Sequence, residues 1–130
     1  NVRVGCPKGF EPSSAVLAKA QDLAKSGAKI VVTNNPYESV FGANAVYTDV
    51  WASMGQEKEQ IIRKKAFENF CLNQELLSEA SSGAIVLHCL PAHRGEEISS
   101  EVMEGLSSRI FDQAENRLHA HKSIVNYCFS

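Results

Sequence analysis

Short apolar runs at residues 2–6, 28–33, 45–48 and 85–87 alternate with stretches whose apolar residues recur at helical spacing. This alternation narrows the fold more than any other feature. Parallel strands cannot be joined by tight turns, so each run needs a helix-length crossover before the next. Between the first two runs, Val16, Leu17, Ala20, Leu23 and Ala24 mark one helix face, with Ser13 or Ser14 placed to cap its start and Gly27 to close it. The spacing predicts a short helical turn over 38–42, helices over 57–67 and from Asn73, and a short helix capped by Ser99 or Ser100. A last strand is expected at 109–111, and a helix over 113–127 carries Ala114, Leu118, Ile124 and Val125. The expected fold class is α/β: a doubly wound, mainly parallel sheet with helices on both faces.

A chain of 130 residues fits one domain, and 44% hydrophobic with 22% charged residues is ordinary for a globule. A net charge of -2, without a Lys/Arg run, leaves no footprint for nucleic acid. No apolar stretch approaches the roughly 18 residues of a membrane span. Cys6, Cys71, Cys89 and Cys128 are irregularly spaced, with no CxxC, and His119 and His121 diverge around a helix, so neither a disulfide framework nor a metal motif is expected. Reduced thiols favour an intracellular setting. The opening Asn1-Val2-Arg3-Val4-Gly5-Cys6-Pro7 does not read as a secretory leader. A longer parent protein is expected, because the chain opens within a strand and closes on an apolar run.

Chemistry gathers at strand ends, where open α/β sheets place their ligands. Asp49 ends the third run, ahead of Trp51, Ser53, Met54 and Gly55. Its carboxylate can receive a ligand ammonium, Ser53 can add a hydroxyl, and backbone amides near Met54 can face a carboxylate. The same residues also suit a loop and a helix cap. His88-Cys89-Leu90-Pro91 ends the fourth run. His88 and Cys89, as strand neighbours, point to opposite faces, so His88 need not activate the thiol. Pro91 biases Leu90 toward an extended conformation, which exposes the carbonyls of Cys89 and Leu90. Cys89 and His88 equally suit a packed core, His93 a solvated loop, and Arg94-Gly95-Glu96-Glu97 a plain surface turn. Arg117, early in the last helix, offers a planar fork for a carbonyl oxygen or phosphate, or is simply solvated beside Glu115. No phosphate loop and no complete nucleophilic triad is present.

Taken together, Asp49-Val50-Trp51-Ala52-Ser53-Met54-Gly55, His88-Cys89-Leu90-Pro91 and Phe111-Asp112-Gln113-Ala114-Glu115-Asn116-Arg117 resemble the ornithine carbamoyltransferases of the aspartate/ornithine carbamoyltransferase family. The likeness also takes in Pro7-Lys8-Gly9-Phe10-Glu11-Pro12 and runs over essentially the whole chain. It implies an ornithine-binding domain that lacks its first strand and helix, and lacks the carbamoyl-phosphate half with its Ser-Thr-Arg-Thr-Arg and His-Pro-x-Gln segments. The implied reaction moves a carbamoyl group from carbamoyl phosphate to the δ-amino group of L-ornithine, giving L-citrulline and phosphate, as in arginine biosynthesis.

By the same resemblance, Asp49 and Ser53 bind the α-amino group and the Met54 backbone helps with the carboxylate. Asp49 and Cys89 lie near the δ-amine, the carbonyls of Cys89 and Leu90 hold the carbamoyl NH2, and Arg117 bonds the carbamoyl oxygen. No metal or organic cofactor is implied, nor a nucleic-acid or membrane partner. The expected assembly is a cytoplasmic homotrimer or higher homo-oligomer. Pro would stand at Cys89 in the aspartate enzyme, and Ser-Met-Gly would be absent from the putrescine enzyme. N-acetylornithine or putrescine as substrate, and a non-catalytic amino-acid-binding module, are the alternatives.

Overall fold

The computed structural model describes residues 1–25, 27–52 and 59–130. Strand β1 (Val2–Gly5) runs through helix α1 (Ser14–Leu23) to β2 (Ile30–Thr33), and the two strands pair in parallel from Val2↔Ile30 to Gly5↔Thr33. Ser13 caps α1 by accepting from the Val16 amide. Helix α2 (Pro36–Val40) follows a capping Asn35, whose Oδ1 accepts from Tyr37 N, with proline in its first turn where no amide is needed.

Strand β3 (Ala45–Thr48) leads to α3 (Gln60–Phe67), α4 (Gln74–Ser78) and then β4 (Ile85–His88). The second parallel pair keeps the register Ala45↔Ile85 to Thr48↔His88. Helix α5 (Ser100–Met103) is capped by Ser99, and α6 (Ile110–Phe129) closes the chain. The start predicted for α3 at Glu57 lies outside the described residues.

Both sheets are two-stranded and parallel, flanked by helices, which is the predicted α/β class. Among the described residues β1 and β3 do not pair with each other. The core lies under the second pair, where Val40, Leu72, Leu76, Val86, Ile98, Val102, Met103 and Ile110 pack together. Within β4, Val86 and His88 are wholly buried, whereas Val2, Val31 and Tyr47 on the other strands are exposed.

The strand expected at 109–111 does not form. A single parallel bridge, Val86↔Ser108, takes its place, held by Val86 N to Ser107 O at 2.8 Å and Arg109 N to Val86 O at 2.9 Å. The chain turns helical at once because Ile110 inserts fully into the core and Gln113 N bonds Arg109 O at 2.9 Å. Local β-branched propensity is weaker here than the burial of one isoleucine.

Candidate functional site

The register of the second pair builds the site. Thr48 and His88 are partners at the carboxyl ends of β3 and β4, so the next residues, Asp49 and Cys89, emerge side by side. The Cys89 thiol donates to Asp49 Oδ1 at 3.0 Å, and that oxygen also accepts from the Val50 amide at 2.7 Å. Asp49 is exposed and Cys89 half-buried, so the carboxylate still faces solvent. Burial pushes the Cys89 thiol above its usual range, and the bond to Asp49 raises it further. Cys89 is therefore a thiol donor at neutral pH, with none of the activation a thiolate nucleophile needs.

Leu90 departs from expectation. It sits in the left-handed region, φ 59°, instead of the extended conformation expected ahead of Pro91. Such a backbone is costly for leucine and persists only where its surroundings hold it. Here the Leu90 amide donates to His88 Nδ1 at 2.8 Å, which leaves Nε2 as the protonated nitrogen facing Glu97 Oε1 at 3.1 Å. His88 and Glu97 are both fully buried. The stretch Arg94-Gly95-Glu96-Glu97 is thus no plain surface turn: its last carboxylate anchors the imidazole that anchors Leu90. Among the described residues, no hydrogen bond occupies the carbonyl of Cys89 or Leu90.

Other side chains, to which the sequence reading assigns no role, complete the frame. Gln113 ties α6 to both strands, accepting from His88 N at 3.1 Å and donating to the Tyr47 hydroxyl at 3.2 Å. Trp51 stacks on Phe67 at 5.9 Å, and Phe67 meets Phe10 and Phe70 edge-on, so Trp51, two residues beyond Asp49, rests on an aromatic cluster. Asp49 stands on the wall of a groove of about 340 Å³, with Arg3, Gly5, Tyr47, Thr48 and Trp51. Neither Gln113, although it lies in the motif ending at Arg117, nor Glu97 carries a local signal of its role, because each role depends on what the fold sets opposite it.

Of the predicted site residues, Asp49, Cys89 and Leu90 are brought together. Arg117 is exposed on α6, one helical turn beyond Gln113, and makes no hydrogen bond or ion pair among the described residues. Ser53 and Met54 lie outside the described residues. One ligand atom from each of Asp49, His88 and Cys89 falls within 4.8 Å of the others. They make a poor metal centre, since both imidazole nitrogens are already engaged.

Residues 1–128 match the family model "Aspartate/ornithine carbamoyltransferase, Asp/Orn binding domain". The chain belongs to this family. It is 62% identical over 125 residues to an ornithine carbamoyltransferase of Prochlorococcus marinus (strain MIT 9313), a match covering 96% of this chain and 39% of the relative. The crystal structure of ornithine carbamoyltransferase from Gloeobacter violaceus superposes with a TM-score of 0.85 at 48% identity, over 96% of this chain and 41% of that one. The anabolic enzyme from Campylobacter jejuni gives 0.91 at 37% identity, over 97% and 42%. The chain thus spans about two-fifths of the length of the relatives it matches.

Proposed function

We propose that this chain supplies the ornithine side of a carbamoyl-transfer site, in which the neutral δ-amine of L-ornithine attacks the carbonyl carbon of carbamoyl phosphate. The C–N bond forms, the C–O bond to phosphate breaks, the surplus proton of the attacking nitrogen leaves with the phosphate, and citrulline and hydrogen phosphate are released. The observation that carries the reading is the 3.0 Å contact between Asp49 and Cys89 at paired strand ends. An exposed carboxylate beside an un-ionised thiol receives an amine without competing as a nucleophile. Asp49 and Ser53 take the α-amino group and the Met54 backbone assists the carboxylate. The free carbonyls of Cys89 and Leu90 suit the carbamoyl NH2, and the left-handed Leu90 holds its carbonyl in a fixed direction.

Arg117 is assigned to the carbamoyl oxygen, where charge develops in the tetrahedral transition state. This rests on the family motif and on Gln113, which docks the same helix face against β3 and β4. In the full-length protein, Arg117→Ala is expected to lower kcat by about 10²-fold, the scale of losing one transition-state donor. A change under about threefold would remove Arg117 from that role. Competition among ornithine, N-acetylornithine and putrescine in a citrulline-type assay tests the substrate. Preference for either of the last two overturns the ornithine assignment, and binding without turnover favours an amino-acid-binding module.

The reading also includes a wider protein. The edges of β1 and β3 that lack partners among the described residues both border the groove, whose wall includes Arg3 and Gly5 from one and Ala45 to Thr48 from the other. A further parallel strand from outside residues 1–130 suits that position, as does a carbamoyl-phosphate half elsewhere in the protein. The assembly is proposed as a homotrimer or higher homo-oligomer. Four free thiols support a cytoplasmic setting. Among the described residues, no helix is long and apolar enough to cross a membrane.

A further inference from the structure

We propose that His93, Glu96 and Glu97 form a binding site for a borderline divalent cation of the Zn2+ class, on the loop between β4 and α5 and separate from the Asp49–Cys89 pair. One ligand atom from each of the three residues lies within 4.8 Å of the others. A cluster of this kind is common on surfaces, and what distinguishes it is Glu97. That carboxylate is fully buried, and its Oε1 is satisfied by His88 Nε2 at 3.1 Å and by the His93 amide at 2.6 Å. Its Oε2 is buried with no hydrogen-bond partner among the described residues. An unmatched carboxylate oxygen out of contact with water is expensive, and it is the acceptor a cation would satisfy.

The geometry is close to what a small ion requires. Oε2 lies 3.7 Å from His93 Nδ1, and two ligands of a tetrahedral Zn2+ at about 2.1 Å each stand roughly 3.4 Å apart. The His93 side chain is half exposed, so its ring can close the remaining gap and an ion can enter from solvent. Glu96 contributes a second carboxylate, whose Oε1 now holds Lys64 Nζ at 2.6 Å. Binding would displace that ammonium into water, which a partly exposed lysine allows. One imidazole with two carboxylates suits Zn2+, Co2+ or Ni2+ better than Ca2+ or Mg2+, which favour all-oxygen sets. The loop's shape supports the set, because Gly95 at φ 83° lets Gly95 N reach Ile98 O at 2.9 Å and turns Glu97 inward. A bound ion would tie the loop to the Glu97–His88–Leu90 chain, and so stiffen the backbone that carries the Cys89 and Leu90 carbonyls.

The test is calorimetric titration of the full-length protein with Zn2+ alone, in a Cys89→Ser background that removes the sulfur of the other cluster. His93→Gln and Glu96→Gln are added singly, and both are surface-reaching changes that leave Glu97 in place. The expected result is one Zn2+ per protomer retained in Cys89→Ser and weakened at least about tenfold by each further substitution. The metal-free melting temperature of the variants should not change. Co2+ in place of Zn2+ should show ligand-field bands with no thiolate-to-cobalt band. Loss of all binding in Cys89→Ser overturns the proposal, as does affinity indifferent to His93→Gln.

Discussion

Asp49 and Cys89 act on each other before any ligand arrives. Burial and the Asp49 hydrogen bond both favour the protonated thiol, so at a given pH less thiolate is present than in an unperturbed cysteine. The alkylation rate of Cys89 in the full-length protein, followed by peptide-resolved mass spectrometry with iodoacetamide, should therefore rise at higher pH than that of a free thiol. Asp49→Asn should move that rise to lower pH, though only part of the way, because burial is the larger cause. A profile that starts below that of free cysteine would show that the thiol is activated, contrary to this account. Asp49 and Cys89 were legible in the sequence because each directly follows an apolar strand, and strand ends are where such sheets bind ligands. Glu97 was not, since a charged residue in a Gly-containing turn looks solvated until His88 and the His93 amide are seen to hold it in the interior. Leu90 was misread for a related reason. The preference that Pro91 imposes is local, and the amide bond to His88 Nδ1 outweighs it.

At the scale of elements, helix caps and strand positions were readable because they depend on neighbours in sequence. Ser13, Asn73 and Ser99 all accept from the amides expected of capping residues. Asn73→Ala should cost about 1 kcal/mol of stability through loss of the bond to Leu76 N, measurable by denaturant midpoint. What could not be read was how many residues each strand contributes to the ladder. The 109–111 strand reduces to one bridge at Ser108, because burying Ile110 starts α6 there. Packing yields two sharper expectations. Ile98 is wholly buried in the cluster that supports both strand ends, so Ile98→Ala should destabilise by roughly 2–5 kcal/mol. Gly5 ends β1 against α2, where an added methyl carbon would lie 2.7 Å from Ser39 Cβ and 2.5 Å from Ser39 Oγ. Gly5→Ala should therefore lower the melting temperature by displacing α2, with a cost of about 1–3 kcal/mol typical of overpacking. An unchanged melting temperature would mean that α2 shifts freely.

At the scale of the whole molecule, the two sheets differ in how finished they are. The β3–β4 pair carries the core and the Asp49–Cys89 contact, whereas β1 and β3 each border the groove with an edge that, among the described residues, has no strand beside it. Catalysis of a bimolecular transfer requires both reactants oriented together, and in the proposed reading this chain holds ornithine and touches only the carbamoyl end of the donor, leaving its phosphate to another part of the protein. Purified alone, the chain should form no citrulline from ornithine and carbamoyl phosphate. Steady turnover by it would contradict the proposed division of labour. The central claim is tested most directly by steady-state citrulline formation in the full-length protein carrying Asp49→Asn. Losing a charge-assisted bond to the ornithine amine is worth about 1.5–3 kcal/mol, so kcat/KM for ornithine should fall at least about tenfold. A kcat/KM for ornithine indistinguishable from that of the unmodified protein would show that the paired ends of β3 and β4 do not hold the substrate amine.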